Sequence, residues 1–596
     1  MTRIALAAAA ILIHIPGVLA APPLLRSWEP RDIPPLADQD PNRIRLLIRG
    51  GSLYLTARDA VALAIDNDIT LAIARYDPML ASYAVERAEA GGVLRGVTND
   101  KSLIGSVANG QGVSGSQVSA GLANLGNINI SNMGNVTVSQ IGPVTPNLDP
   151  VIGAAAAFSH TTSPQSNVVL SQTNALVDGT RNYTLVGQQG FTSGGVATMT
   201  FTESYLNENA PSDILNPSQA PRLGLSLTHN LLQGFGTAVN TRFIRAAKLG
   251  REASDEAYKA KIIDEVANVL NLYWDLSLAE NDLEYKRENL SLANKFESDL
   301  RQEIAIGAVA RNELVRAQSD GAARQLEFSN AETLVRQRTV ALKSVLSRFG
   351  SEDPLLAEAA IITLDRPSVP ETEELPPTHE LIEQAKRNRP DLVLSRINGQ
   401  SAEVLATGTA NGVLPQLQVF ASTTQSGLSG KPNPASGINP DAYFVGGAGN
   451  ALGQVFRRNF PSNKVGYSAS VDLANNIAQG DYGIDHLQLR QSELMSQRSA
   501  SQAVADVASE ALALRLARSR YANASRARAI QEQVARAEQV KQSLGRSTIY
   551  NVVQSRRDLA VAQSNELAAA AVYIRSRIAL DQVLGLTLER NNIRLK

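Results

Sequence analysis

The 596-residue chain contains no cysteine. That absence excludes disulfide bonds, cysteine-based zinc sites, thiol catalysis and the cysteine acceptor of an N-terminal lipid anchor. Lysine plus arginine number 56 and aspartate plus glutamate number 57, so the net charge of -1 indicates no nucleic-acid partner. The five histidines are scattered and form no metal-binding or metalloprotease spacing. We therefore expect no catalytic site, no metal site and no cofactor.

Long apolar runs are scarce, and the clearest one stands at the start of the chain. An apolar run from Ile4 to Ile13 follows a short basic segment, and Val18 and Ala20 occupy the positions that precede a small-residue cleavage site. This pattern predicts a signal peptide over residues 1–20. An uncleaved membrane anchor is the alternative, although a span needs about 20 apolar residues and Pro16 interrupts this one. No later stretch is long enough, so membrane residence would depend on strands.

Two long stretches have the periodicity of coiled-coil helices. Apolar residues recur at alternating spacings of four and three, and the apolar stripe therefore needs a partner helix along its length. The first stretch contains Ile262, Val266, Val269, Tyr273 and Leu276. We predict one helical hairpin over residues 237–349 with its tip at 305–312, and a second over 484–585 with its tip at 543–550. The segment 237–303 alone would be about 100 Å long.

Other segments alternate with a period of two. Leu223, Leu225 and Leu227 alternate with glycine, serine and threonine, which predicts a strand with one apolar and one polar face. Similar patterns predict strands near residues 151–160, 221–230, 413–424 and 464–474. The run from Val196 to Tyr205 also alternates and is a further strand candidate. For a single strand, an apolar face that covers a soluble core remains the alternative.

The segments between these elements lack either periodicity. Residues 21–50 are proline-rich and are predicted to form an extended arm, and Tyr54 to Ala90 is predicted to be helical. Residues 91–150 form a Gly/Asn/Ser-rich insertion that we expect to be a loop. Residues 351–377 are predicted to form an irregular connector.

The order of elements occurs twice. The strand that begins at Arg222 aligns with the one that begins at Lys464, and Gly307 at the first tip aligns with Gly545 at the second. We therefore predict two equivalent repeats, residues 51–350 and 378–596. Four membrane strands cannot close a barrel by themselves, because closure takes about eight. Open strand edges are not tolerated in lipid, so several chains would have to share one barrel.

The chain resembles the TolC family of outer-membrane efflux proteins. The resemblance lies in LTARDA at 55–60, PRLGLSLTHNLLQGFG at 221–236, VLNLYWDLSLA at 269–279, and the tips IGAVARNELVRAQ and LGRSTIYNVVQS. It implies a mixed α+β membrane protein, a homotrimer whose 12-stranded outer-membrane β-barrel takes four strands from each chain. A helical tunnel would extend the barrel into the periplasm. The implied function is a passive exit duct for tripartite efflux or type I secretion.

The resemblance also implies two sets of functional residues. The periplasmic tips would contact a membrane-fusion adaptor that works with an inner-membrane pump, and the matching residues are Gly307, Ala308, Val309, Gly545, Arg546 and Ser547. An ordinary helical-hairpin turn would explain both glycines equally well. The positions that form a carboxylate ring in the family are occupied by Asn551 and Gln554. Because amides carry no charge, we expect a hydrogen-bonded constriction here and no strong cation site.

Two other functional classes compete with the exit duct. A periplasmic coiled-coil adaptor or scaffold would also have long hairpins, but it would have no use for duplicated alternating strands. A surface adhesin is suggested only by the insertion at 91–150.

Overall fold

The computed structural model describes residues 43–92, 143–166, 172–306, 310–354, 356–372 and 374–594, together with Pro30 and Ile33. The predicted signal peptide lies outside the described residues, as do most of the arm at 21–50 and most of the insertion at 91–150. Gly307, Ala308 and Val309 at the first tip also lie outside them.

The described chain consists of short and very long helices together with short and long strands. The helices are α1 (Arg43–Leu47), α2 (Ala57–Asn67), α3 (Ile69–Ala74), α4 (Tyr76–Glu89), α5 (Thr237–Asn240), α6 (Arg242–Ala305), α7 (Asn312–Leu346), α8 (Thr378–Asn388), α9 (Pro390–Gly412), α10 (Ala448–Phe456), α11 (Asn476–Ser543), α12 (Ile549–Val583) and α13 (Thr587–Arg590). The strands are β1 (Ile48–Arg49), β2 (Ser52–Leu55), β3 (Val151–Pro164), β4 (Ala175–Gly190), β5 (Gly195–Glu208), β6 (Leu215–Asn230), β7 (Ala360–Thr363), β8 (Gln416–Ser426), β9 (Ser429–Pro432) and β10 (Phe460–Ser470). Within the described residues, no helix combines the length and the apolar character needed to cross a membrane.

Two helical hairpins account for most of the length of the molecule. α6 has 64 residues and α11 has 68, so each extends about 100 Å. Their returning partners α7 and α12 have 35 residues each. They pack only along the halves of α6 and α11 that are nearer the hairpin tips. Beside the other halves lie α4, which packs against α6, and α9, which packs against both α6 and α11. The second hairpin begins at Asn476, earlier than the predicted start at 484.

A hydrophobic core lies where α7 and α12 end and the shorter helices begin. The coiled-coil residues Val266, Val269, Tyr273 and Leu276 of α6 are buried in it. The hydroxyl of Tyr273 donates to the carbonyl oxygen of Leu55 at 3.1 Å, which ties α6 to a small three-stranded sheet. The stripe that predicted a helix partner therefore also anchors the sheet.

The small sheet has the order β1-β2-β7, with β1 antiparallel and β7 parallel to β2. Three predictions are corrected in this region. The arm at 21–50 is not extended throughout, because α1 lies at its end and buries Ile44. The helical prediction from Tyr54 begins too early: β2 occupies this position, and Thr56 then caps α2 in a capping box with Asp59. The connector predicted at 351–377 contains the strand β7. This strand is only four residues long, too short for its sequence to show a clear alternation.

A second, larger sheet has the antiparallel order β10-β8-β6-β5-β4-β3, and the short β9 also pairs with β6. Six long strands lie in this sheet, two more than the four barrel strands predicted for each chain. The two additional strands are β4 and β5, a hairpin inserted between β3 and β6, and β5 contains the further strand candidate from Val196 to Tyr205. The strand predicted near 464–474 is observed at β10, which ends at Ser470.

One end of this sheet adjoins the helices, and we call it the helical end. β6 and β10 end there just before α5 and α11 begin, and β8 starts there just after α9. The tight turn between β4 and β5 lies at the same end, because Gly236 donates its backbone N–H to the carbonyl of Ser193 at 3.0 Å. The connections β3–β4, β5–β6 and β8–β10 therefore lie at the opposite, distal end.

Candidate functional site: the hairpin ends and the two-faced sheet

The second hairpin turns at Gly545, whose φ of +70° lies in the left-handed region that glycine adopts without strain. Its backbone N–H donates to Gln542 at 2.9 Å, and the N–H of Arg546 donates to Lys541 at 2.8 Å. These bonds satisfy the last carbonyls of α11. Thr548 then caps α12 by accepting from the backbone N–H of Asn551. The glycine therefore ends one helix four residues before the next begins at Ile549.

Side chains hold this turn against α11. The hydroxyl of Ser547 donates to Glu538 at 2.6 Å, and Lys541 donates to the other oxygen of that carboxylate, also at 2.6 Å. The hydrogen bond from Lys541 and the one from Ser547 hold the pKa of Glu538 below its usual value. The carboxylate is therefore ionised at neutral pH, and the turn has a defined shape.

The ends of both hairpins expose apolar side chains. Ile306 at the first tip is 81% exposed, and Leu544 at the second is 66% exposed. The guanidinium of Arg316 lies 5.6 Å from the ring centroid of the exposed Tyr550. Arg546 is exposed beside Gly545. An exposed apolar surface with cationic neighbours is a common composition for a protein-binding surface.

Asn551 and Gln554 lie exposed on one face of the first turns of α12. The amide of Gln554 donates to Asp558 at 2.9 Å, and Asp558 is exposed on the same face, one turn further along. The sequence reasoning stopped at the two amides and missed this carboxylate. Its signal was available, because a residue four positions after Gln554 must share its face of a helix. The exposed face of α12 therefore carries a carboxylate one turn beyond Gln554.

The opposite face of α12 packs on the first hairpin. Val553 of α12 lies in a small cluster with Leu300 and Ala317. The guanidinium of Arg557 lies 3.0 Å from the carboxylate of Asp320 in α7, which is 9% exposed at its side chain. Arg324 approaches the same carboxylate at 3.6 Å. An apolar contact and a charge cluster therefore join the two hairpins near their tips.

Arg556 makes a second link between the hairpins. Its guanidinium lies 4.9 Å from the ring centroid of Phe296 and donates to the carbonyl of Leu292 at 3.3 Å, both in α6. Burial lowers the pKa of Arg556 from its usual value. Consecutive arginines thus hold α12 to α7 and to α6.

The large sheet has two chemically different faces, as the strand registers show. The apolar face carries Ile152, Ala154, Ala156, Tyr183, Leu185, Met199, Phe201, Leu223, Leu225, Leu227, Val419, Ala421, Val465 and Tyr467. Towards the distal end the same face also carries Arg181, Glu203, Gln219, Thr423, Gln425 and Asn463. The polar face carries Thr180, Asn182, Thr184, Thr200, Thr202, Ser204, Gly224, Ser226, Thr228, Ser422, Thr424, Lys464, Gly466 and Ser468. On the apolar face, Ile152 is 79% exposed and Val465 is 83% exposed. Tyr183, Leu185, Met199, Leu225 and Leu227 on the same face are exposed as well.

Metal binding finds no support in the described part of the chain, where no group of three or more histidine, aspartate or glutamate side chains could hold an ion.

Sequence comparison identifies no relative: no family model and no curated protein matches the chain. Comparison of structures is informative. The chain is 14% identical to the CmeC outer membrane channel of Campylobacter jejuni, with 89% of this chain and 86% of that one covered and a TM-score of 0.55. The outer membrane protein VceC of Vibrio cholerae matches at 14% identity, 89% and 96% coverage and a TM-score of 0.54. The MtrE outer membrane channel of Neisseria gonorrhoeae matches at 14% identity, 89% coverage of both chains and a TM-score of 0.51.

The chain has the fold of the outer-membrane channels. The resemblance to TolC-like proteins is thereby confirmed at the level of the fold, and the likeness extends over nearly nine-tenths of the chain. The residues at the tips and on α12 remain predictions, because fold similarity at this identity assigns no role to single side chains.

Proposed function

We propose that three copies of this chain form a passive exit duct in the outer membrane that extends into the periplasm. The observation that carries the proposal is the large sheet, whose apolar face is open and whose polar face is rich in threonine and serine. A sheet with such faces fits a wall between lipid and water. The fold of outer-membrane channels supports the same conclusion.

The sheet requires neighbours in a membrane. β3 and β10 have partners on one side only, so each presents a row of unpaired backbone groups. Each unsatisfied group in hydrocarbon costs several kcal/mol, and closed barrels are the β-structures that avoid this cost. Additional copies of the chain supply the missing strands.

The long helices form the tunnel below the sheet. α6 and α11 are each about 100 Å long and would carry the lumen across the periplasm. The two hairpins correspond to the two proposed repeats, residues 51–350 and 378–596. Three copies of each would surround the channel axis.

The tips dock a membrane-fusion adaptor, which joins the duct to an inner-membrane pump. Gly545, Arg546 and Ser547 supply one half of this surface, supported by the defined turn and by the exposed Leu544 beside it. Gly307, Ala308 and Val309 would supply the other half. The energy for transport would come from the pump, in agreement with the absence of any enzyme motif from the sequence.

Asn551 and Gln554 line the narrowest part of the tunnel near the tips. The exposed carboxylate of Asp558 joins them, so a trimer would present three carboxylates one turn above the amides. Rings of acidic side chains favour cations in narrow pores. The constriction is therefore proposed to be weakly cation-selective, which the two amides alone did not predict.

Membrane fractionation of a Gram-negative host that expresses the chain tests the proposal. We expect the protein in the outer membrane, as an oligomer that dissociates to a single chain only after heating. A water-soluble monomer purified without detergent would refute the duct and favour a periplasmic scaffold.

Crosslinking tests the tips. In the cysteine-free chain, Arg546→Cys carries a photoreactive crosslinker, and Gln497→Cys on α11, about 70 Å away, serves as the control. Mass spectrometry of the captured protein should identify an adaptor at Arg546→Cys and not at the control. Equal capture at both positions would remove the docking assignment.

A further inference from the structure

The hairpin formed by β4 and β5 is the feature of the sheet that the exit-duct proposal does not require. It has 16 and 14 residues in its strands, whereas a tilted membrane strand needs about 9–11. We propose that this hairpin is part of the barrel wall, so that each copy contributes six strands and three copies close an 18-stranded barrel. The inference rests on the proposed trimeric duct and concerns the width of its outer opening.

The pairing of the hairpin shows that it extends over the full height of the wall. β3 pairs with β4 from Val151 opposite Gln188 to Pro164 opposite Ala175. β5 pairs with β6 from Gly195 opposite His229 to Leu206 opposite Ser218. Both outer connections of the hairpin lie at the distal end and its own turn lies at the helical end. β4 and β5 are thus bonded on both sides along nearly their whole length.

The two faces of the wall continue across the hairpin. Leu185 of β4 and Phe201 of β5 lie in one row with Ala154 and Leu223 on the apolar face. In the adjacent polar row, Thr184 of β4 lies opposite Thr202 of β5. Towards the distal end, Arg181 and Glu203 lie on the same side of the hairpin. In the half nearer the helical end, the hairpin keeps an apolar side in register with its neighbours, which a hairpin folded into the lumen or held in water would not need.

The direction of the edge strands permits closure with this number of strands. β3 runs away from the helical end and β10 runs towards it. β10 of one copy and β3 of the next are therefore antiparallel, as every other pair in the sheet is. Adding two strands keeps the number per chain even, and the inserted hairpin leaves the directions of both edges unchanged.

The dimensions of the helical ring agree with the wider barrel. Next to the sheet, each copy places α4, α6, α9 and α11 side by side, so a trimer has twelve helices at this level. At an interaxial distance of 8–10 Å, their ring measures roughly 100–120 Å around. Eighteen strands spaced about 4.8 Å apart and tilted by about 40° measure roughly 110 Å around, and twelve measure roughly 75 Å. An eighteen-stranded wall therefore fits a ring of this size, while the strand count itself rests on the pairing of β4 and β5 with their neighbours.

The consequence is a wide outer opening. Barrel diameter grows roughly in proportion to strand number, so 18 strands give about 1.5 times the diameter of 12, and barrels of this size hold an aqueous channel. The narrow point of the duct would then lie at the hairpin tips, and the outer barrel would admit any cargo that has passed them.

Cysteine accessibility tests the placement of the hairpin, because the chain has no native cysteine. A water-soluble maleimide is applied to the protein in its membrane, with single substitutions in matched pairs. The pairs are Thr184→Cys with Leu185→Cys on β4, Thr200→Cys with Phe201→Cys on β5, and Ser226→Cys with Leu225→Cys on β6. The reactive species is the thiolate, so a lipid-facing thiol should label roughly tenfold more slowly than its lumen-facing neighbour.

Alternation in all three pairs supports the 18-stranded wall. Alternation on β6, with equal labelling of both residues on β4 and β5, would overturn the inference and leave the duct intact. Loss of alternation on β6 as well would overturn both. Electron cryo-microscopy of the purified oligomer gives an independent count, in which 18 strands support the inference and 12 strands, with the hairpin outside the wall, overturn it.

Discussion

Replacing Gly408 by alanine should destabilise the junction between the sheet and the helices. Gly408 lies in α9, and a Cβ atom added there would lie 2.6 Å from Nε and 2.9 Å from Cδ of Arg242 in α6. Ordinary contacts between heavy atoms are about 3.5–4.0 Å, so the guanidinium would have to move by roughly 1 Å.

Arg242 has no room for such a movement. Its side chain is 1% exposed and donates to the carbonyl of Val239 at 2.7 Å and to that of Pro143 at 2.6 Å. Its guanidinium also lies 4.4 Å from the ring centroid of Phe243. Burial lowers the pKa of Arg242 to about 10, so the side chain keeps its charge at neutral pH. A displaced guanidinium would therefore be a buried cation with stretched hydrogen bonds.

The expected magnitude follows from these contacts. A hydrogen bond to a charged group contributes about 1.5–3 kcal/mol. Alanine in a helix interior returns about 1 kcal/mol relative to glycine. If one of the two bonds is lost, Gly408→Ala should destabilise the protein by about 0.5–2 kcal/mol, and by more if both are lost. Because Arg242 stays protonated in both the folded and the unfolded chain below about pH 9, this loss should not vary between pH 6 and 8.

The same helix provides the control. A Cβ at Gly399 would meet its nearest neighbour, the Ser492 hydroxyl, at 3.8 Å, which is ordinary contact. Gly399→Ala should therefore raise the thermal midpoint of the detergent-purified oligomer, followed by the loss of helical circular dichroism, while Gly408→Ala lowers it. A Gly408→Ala protein that melts at or above Gly399→Ala would refute the packing argument.

Three further predictions concern the tip, the core and the constriction. Gly545→Ala places a side chain at φ +70° and should cost about 1–2 kcal/mol locally, seen as faster proteolysis at the tip, whereas Gly480→Ala near the start of α11 should not accelerate cleavage. Burial raises the pKa of the Glu280 carboxyl, so stability falls as pH rises through its folded pKa. Glu280→Gln should therefore raise the melting temperature at pH 8, with the gain shrinking towards pH 4.5, and a gain that stays constant with pH would contradict this account. Asp558→Asn should reduce cation preference in the reversal potential of single channels in planar bilayers, and an unchanged potential would exclude a carboxylate ring.

The long helices and the strand alternation could be predicted from the sequence because both are local patterns. Apolar residues at alternating spacings of four and three, as around Val266 and Tyr273, can be recognised from a few neighbouring turns of sequence. Both residues are buried in the structure. The alternation of Leu223, Leu225 and Leu227 likewise marked β6 before any partner strand was known. The second tip was readable from Gly545, because few other residues adopt its backbone conformation.

The number of strands was not readable in this way. β4 reads as a mixed run with Arg181 and Asn182 in its middle, and its apolar face is assembled from Tyr183 and Leu185 only when its register with β3 and β5 is known. β4 is paired with a strand on each side, and what favours such a strand is its packing against those neighbours more than its own sequence pattern. The alternation from Val196 to Tyr205 was visible, but its place in the wall was not.

The sequence also could not show which charged side chains are buried and which are exposed. Asp320 and Asp558 occupy matching positions after the two tips, yet Asp320 is buried against Arg557 and Asp558 is exposed beside Gln554. Identical residue types at equivalent positions therefore have different surroundings. Only the packing of α12 on α7 distinguishes them.

The sequence by itself determined the kinds of element, their approximate lengths and their order, because hydrophobic periods of 3.5 and 2 and the turn glycines act over a few residues. The tertiary structure decided which strands share the large sheet, which arginine is buried at the junction and which carboxylate stays exposed. Those outcomes depend on contacts between segments far apart in the chain, as between Arg242 and Pro143, and no local pattern records them.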